Sequence, residues 1–158
     1  MINCSFTGHR IIENSLKEKL ESRLSDAIEY VYREGCRNFY CGGALGFDTV
    51  AAKLLIKLRM KHRDMRLIIA VPCRDQSLKW TEPQRRMYDY ILSSADEIIY
   101  TSEEYTKDCM RRRNLYLVEN CDVLIAYSGR QNSGSAQTVR MAEKLGKTVY
   151  NLYGKLDV

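Results

Sequence analysis

Apolar positions along the chain fall into two alternating patterns. Short continuous runs, such as Leu67-Ile68-Ile69-Ala70-Val71 ahead of Pro72 and Val123-Leu124-Ile125-Ala126, read as strands buried on both faces. Between such runs, apolar residues recur at helical spacing. Leu16, Leu20, Leu24, Ile28 and Val31 form one stripe, with Ser15-x-x-Glu18 as a capping box before it and Gly35 as its C′ residue. A second stripe holds Val50, Ala51, Leu54, Leu55 and Leu58. Thr81-Glu82-Pro83-Gln84 opens a third helix, with proline in the first turn and glutamine at the capping-box position. The pattern predicts strands over residues 2–6, 38–41, 67–71, 97–100, 123–126 and 148–152. Helices are predicted from Ser15 to Gly35, over 49–61, from Thr81, over 109–120 and over 136–145, the last closed by Gly146.

Strands alternating with helices predict an α/β chain. The sheet is expected to be doubly wound and mainly parallel, with about six strands and helices on both faces. No repeat, linker or low-complexity stretch interrupts the pattern, so residues 1–158 read as a single domain. Hydrophobic residues at 45% and charged residues at 28% have the balance of a soluble globular protein. No apolar run approaches membrane-spanning length, so no membrane role is expected. The N-terminus enters a strand without a signal-peptide pattern, which predicts a cytoplasmic location. The six cysteines include no C-x-x-C pair and the two histidines are far apart, so no metal site is expected. Their apolar contexts suit reduced core thiols.

In a doubly wound sheet, ligands bind beyond the carboxyl ends of the strands, where the strand order reverses. The loops on that edge are residues 7–10, 42–48, 72–80, 102–113 and 128–138. They hold nearly all the unusual polar and glycine residues, and the opposite connections are plainer. The central stretch is Cys41-Gly42-Gly43-Ala44-Leu45-Gly46-Phe47-Asp48, a strand, a glycine-rich turn and a helix start. Its glycines allow positive φ and close approach of a ligand to the main chain. The helix N-terminus that follows favours a phosphate or another anion. No Gly-Lys-Ser/Thr follows, so this is not a Walker loop, and the spacing is not that of G-x-G-x-x-G. Ser133-Gly134-Ser135, with Ser128 earlier in the loop and Thr138 one turn on, offers a second helix N-terminus with hydroxyls. Arg10 is placed to clamp a phosphate, Trp80 to stack on a base and Asp48 to accept from ribose hydroxyls.

Plainer roles stand beside these. Asp48 caps its helix, Trp80 anchors a loop, His9 bonds a neighbouring loop, and Gln76 and Gln84 lie on the surface. Arg111-Arg112-Arg113 reads as a solvated helix face, and Tyr105 as a lid or a packing residue. Asn114 has poor helix propensity, which favours a polar role facing the site. The net charge of +5 permits an anionic ligand or nucleic acid without singling out either.

Phe6-Thr7-Gly8-His9-Arg10, Gly42-Gly43-Ala44-Leu45-Gly46-Phe47-Asp48, Pro72 with Gln76 and Trp80, and Gly134-Ser135-Ala136-Gln137-Thr138 together resemble the YpsA-like family of the SLOG (DprA/Smf–LOG) superfamily. The resemblance runs over essentially the whole chain, in order. It implies a Rossmann-like fold and a pocket for a nucleotide or nucleotide-derived ligand, with NAD-like or ADP-ribose-like molecules suspected; no cofactor is certain. The residue reading and the resemblance together give as expected ligand contacts Thr7, Gly8, His9, Arg10, Gly42, Gly43, Ala44, Gly46, Asp48, Pro72, Gln76, Trp80, Arg113, Asn114, Ser128, Ser133, Gly134, Ser135 and Thr138.

Two kinds of relative point to alternatives. LOG proteins are phosphoribohydrolases whose second motif is Pro-Gly-Gly-x-Gly-Thr-x-x-Glu. Here Met141 stands at the glutamate position, and Glu143 would point roughly 200° round the helix. An N-glycosidase would therefore rest on Asp48 and His9 as its catalytic candidates. DprA proteins bind single-stranded DNA, and Arg111, Arg112 and Arg113 with Tyr105 and Tyr116 would be a thin version of such a groove. SLOG relatives often form homodimers, and the apolar stripes leave room for one. The leading expectation is a protein that binds or senses a small nucleotide-like ligand.

Overall fold

The computed structural model describes residues 2–129 and 131–157. Six strands, β1 (Asn3–Gly8), β2 (Asn38–Cys41), β3 (Arg66–Val71), β4 (Glu97–Tyr100), β5 (Val123–Tyr127) and β6 (Thr148–Asn151), form one sheet in the order β4-β3-β2-β1-β5-β6. Every pairing is parallel. The chain builds outward from β1 to β4 through α1 (Lys17–Arg33), α2 (Phe47–Lys61) and α3 (Glu82–Ser94). It then returns through α4 (Cys109–Glu119) to the other side of β1, and α5 (Gly134–Lys144) joins β5 to β6. Right-handed crossovers running in opposite directions place α1 to α3 on one face and α4 and α5 on the other. This is the doubly wound, Rossmann-like α/β fold.

Each face has its own core. The larger packs Leu20, Leu24 and Ile28 of α1 and Ala51 and Leu55 of α2 against Phe6, Phe39 and Ile69. The smaller joins Val118, Cys121, Leu124 and Ala142. All six cysteines are buried. Phe6 and Phe39 stack with ring centroids 6.3 Å apart, tying β1 to β2. Gly35 has a φ of 106°, as its place after α1 requires.

Several boundaries differ from the sequence pattern, and three have a clear local cause. Ser15 caps nothing: a 3-10 turn at Asn14–Leu16 precedes α1, whose N-cap is Leu16 without a side-chain bond. Leu16 is therefore half-buried at the rim of its stripe. β1 runs on to Gly8 because Thr7 and Gly8 continue the ladder with Ala126 and Tyr127. α5 starts two residues early, because Ser133 Oγ accepts from the Ala136 amide at 3.1 Å and so caps the helix before Gly134. The Thr81 capping box forms as predicted, with Gln84 closing it.

Candidate functional site

The strand order reverses between β1 and β5, whose last register pair is Gly8 with Tyr127. A cavity of about 360 Å³ opens at that point. It is lined by residues 6–11 from the end of β1, by Ala44 and Asp48, by Met110, Arg113, Asn114 and Leu117 of α4, and by Ser133, Gly134 and Ser135. Four of the five expected loops thus converge. The fifth, residues 72–80, follows β3, two strands away from the reversal.

The glycine turn is filled from within the protein. Gly46, with φ 77°, begins α2, and a Cβ there would come within 2.3 Å of the Arg10 carbonyl oxygen. The first amide of α2, on Phe47, donates to the His9 carbonyl at 2.9 Å. The Ala44 amide donates to Asp48 Oδ2 at 3.1 Å. Gly42 lies between Asp48 and Arg113, and a Cβ on it would be 2.8 Å from the carboxylate and 2.7 Å from the guanidinium. Its carbonyl accepts from Arg113 Nη1. Of the amides in this turn, that of Ala44 thus already has an acceptor within the chain. That acceptor is the buried Asp48 carboxyl group.

Asp48 and Arg113 are both buried. Burial raises the Asp48 carboxyl above its ordinary range, opposed in turn by Arg113, the Ala44 amide and Arg10. Burial likewise lowers Arg113, and Asp48 works against that. Arg113 is braced on all sides: Nη1 also reaches the Ala70 carbonyl at 3.4 Å, Nε donates to Asn114 Oδ1 at 2.9 Å, and Nη2 lies 3.9 Å from Met110 Sδ. It belongs to the site floor, whereas Arg111 and Arg112 are exposed. The reading of the whole run as a solvated face holds for those two only. Helix period separates them, since α4 turns one residue in three or four towards the sheet.

Above this floor, Arg10 is exposed and approaches Met110 Sδ at 3.8 Å. The start of α5 forms the facing wall. Ser133, Ser135 and Ser128 link their hydroxyls at 3.0 and 3.1 Å. A Cβ on Gly134 would meet nothing within 4 Å, so the backbone of the first helical residue stands open. First-turn amides have no acceptor within their own helix. His9 lines the cavity and also bonds its neighbouring loop, since Nε2 accepts from the Gly129 amide at 3.0 Å. The ring sits edge-on to Tyr127 and Tyr153.

The remaining expected contacts lie elsewhere. Thr138 is buried and donates to the Gly134 carbonyl within α5 at 2.8 Å. Pro72 is buried just after β3 and is not among the residues lining this cavity. Gln76 braces the glycine turn, its Nε2 reaching the Gly43 carbonyl at 3.4 Å and Tyr88 Oη at 3.2 Å. Trp80 is half-buried and edge-on to Tyr88, with centroids 5.1 Å apart. Gly43, Gly46, Trp80 and Gln84 face a second cavity of about 700 Å³, on the other side of the glycine turn. Met141 packs against the α4–α5 core, and Glu143 is exposed, so neither reaches the first cavity. Tyr116 packs towards Tyr40, and Tyr105 is exposed in the loop before α4.

The sequence reading missed Met110, Ile11 and Leu117 as lining residues, and Asn151 as a buttress. Asn151 accepts from the Ser128 amide at 3.1 Å and donates to the Ser128 carbonyl at 2.9 Å, fixing the loop that leads to α5. Nothing in a short edge strand marks such an asparagine. Met110 was open to inference, being one turn from Arg113 on α4.

Among the described residues, no helix is long and apolar enough to cross a membrane. The chain is 29% identical over 157 residues to the uncharacterised SPbeta prophage-derived protein YoqJ of Bacillus subtilis, covering 90% of this chain and 92% of that one. Its fold is similar to that of DNA processing protein A (DprA) from Streptococcus pneumoniae, with a TM-score of 0.67 at 18% identity. It is also similar to DprA from Helicobacter pylori, a protein described by its single-stranded DNA binding mode, with a TM-score of 0.63 at 20% identity. The alignments take in 95% and 94% of this chain but only 50% and 63% of those two proteins. Residues 6–153 match the model of the YspA SLOG family, and the chain belongs to that family.

Proposed function

We propose that the protein binds a small phosphorylated ligand of the nucleotide-derivative class in the cavity between the ends of β1 and β5. The observation that carries this reading is a juxtaposition: Arg10 and the open first turn of α5 share one cavity with the buried Asp48. A phosphate at Gly134 and Ser135 would meet unpaired backbone amides, the positive end of the helix dipole and the Arg10 guanidinium. Asp48, held by Ala44 and facing the same space, suits a pair of ribose hydroxyls. Phosphate binding thus falls to α5, since Asp48 holds the Ala44 amide of the glycine turn.

Thermal shift tests this. A ligand such as ADP-ribose at about 100 times its dissociation constant adds roughly 2.7 kcal/mol of stability. That corresponds to a rise in Tm of about 5–10 °C at this chain length. The rise is expected to fall away in Arg10→Ala. No shift with ADP-ribose, NAD, AMP or ribose 5-phosphate would overturn the reading.

Nucleic-acid binding is the second reading. The likeness to DprA favours it, as does a groove between α4 and α5 lined by Arg111, Arg140 and Lys144. A steep loss of oligonucleotide affinity with added salt would be its signature.

A further inference from the structure

The second cavity differs from the first in kind. Its floor is Ile12, Tyr88 and Ile91, all buried, and Val50, Met87 and Trp80 stand half-buried around it. The polar side chains that line it are largely engaged within the chain. Thr49 Oγ1 donates to the Ala44 carbonyl at 3.1 Å, and Gln84 Oε1 accepts from the Thr81 amide at 2.9 Å. A sugar or a hydrogen-bonding ring would therefore find few partners here. What is left over is cationic. Lys17, Lys53 and Arg10 line the cavity, and among the described residues none of the three has a carboxylate within 4.0 Å. Elsewhere on the surface, Lys19, Arg59 and Arg74 hold carboxylates at 2.5, 2.6 and 2.8 Å. Glu21 is the one acidic residue among the described residues lining this space. Ile11, also lining it, is 74% exposed and adds apolar surface at its mouth.

We propose that this cavity is a separate site for a small amphiphilic acid, a medium-chain alkyl carboxylate, with its apolar body against Val50, Met87 and Trp80 and its carboxylate at Lys17 and Lys53. The apolar floor and walls remove the alkyl body from water, which is where the affinity comes from. The two ammonium groups select the sign of the head. A volume of about 700 Å³ falls within the roughly 300–1,000 Å³ of small-molecule sites. The site is independent of the phosphate-binding reading of the first cavity, since neither lysine lines that cavity.

Trp80 is the chain's only tryptophan, so its fluorescence reports this cavity directly. The full chain is titrated with decanoate, decanol and decylammonium, each below its aggregation limit, while emission and calorimetric affinity are followed. Decanoate is expected to change Trp80 emission and to bind roughly tenfold or more tightly than the other two. Octanoate, shorter by two CH₂ groups, is expected to bind roughly tenfold more weakly than decanoate. Lys17 and Lys53 are exposed, so the double variant Lys17→Gln with Lys53→Gln keeps the fold. It is expected to bring decanoate down to the affinity of decanol while leaving decanol itself unchanged. Its Tm response to ADP-ribose should equal that of wild type, so this site and the first cavity's reading fail separately. Equal affinities for decanoate and decylammonium, or undiminished decanoate binding in the double variant, would overturn the proposal. So would the absence of heat and of any emission change with all of the probes. Recruitment of the chain to lipid vesicles without binding of free decanoate would assign this face to a membrane surface and overturn it as well.

Discussion

Asp48 is the residue whose surroundings depart furthest from those of a surface carboxylate. It is buried, holds the Ala44 amide and faces Arg113 across Gly42. Its carboxyl titrates above the ordinary value of 3.8, with burial as the leading cause. A carboxyl raised in the folded state favours folding while protonated, and that contribution is lost as pH rises through its folded pKa. Denaturant unfolding at a series of pH values, for wild type and Asp48→Asn, should therefore show the variant gaining relative to wild type from about pH 4 upward. A difference independent of pH would mean that burial does not govern Asp48. Gly46 gives a second test. Gly46→Ala places a Cβ against the Arg10 carbonyl at positive φ, and should cost about 2 kcal/mol or more, or roughly 4–8 °C of Tm. Unchanged stability would contradict the packing described for the turn. The sequence marked both residues but not their relation. An Asp two residues after a glycine reads equally well as a cap or a ribose ligand, and only the fold shows that the Asp48 carboxylate also closes the glycine turn on the Ala44 amide.

At the level of elements, the strand and helix order was legible because each segment's apolar period agreed with its burial. β3 is buried over Leu67 to Val71, and α1 buries Leu20, Leu24, Ile28 and Val31. Termini were read less well, because caps depend on where the chain enters. Thr81 and Gln84 form their box, whereas Ser15 and Glu18 do not, since a 3-10 turn intervenes. Thr81→Ala should then cost about 1 kcal/mol, and Ser15→Ala close to nothing, by the same denaturant assay. Equal losses would show that the α1 entry had been misjudged. Arg113 shows the same limit within a helix. Three consecutive arginines look alike in sequence, and only the side of α4 turned to the sheet separates the buried one from the exposed pair.

For the whole molecule, the topology decides which loops meet. The reversal of strand order beside β1 brings four loops to one cavity and sends the loop after β3 to a neighbouring one. The sequence reading set the site loops on one edge of the sheet, and four of them line one cavity there. It did not divide that edge, because strand order is set by pairings distant in sequence that no local pattern encodes. Residues expected together, such as Trp80 and Ser135, are thereby parted across Arg10 and Ile11. Likeness to DprA supplies the fold, while the chemistry of these loops belongs to this chain. The most direct test is thermal shift of wild type and Arg10→Ala with ADP-ribose. A rise of several degrees in wild type that is largely lost in the variant is the expected result, because Arg10 lines both cavities. No rise in wild type, or an undiminished rise in Arg10→Ala, would contradict the placement of the ligand at this edge.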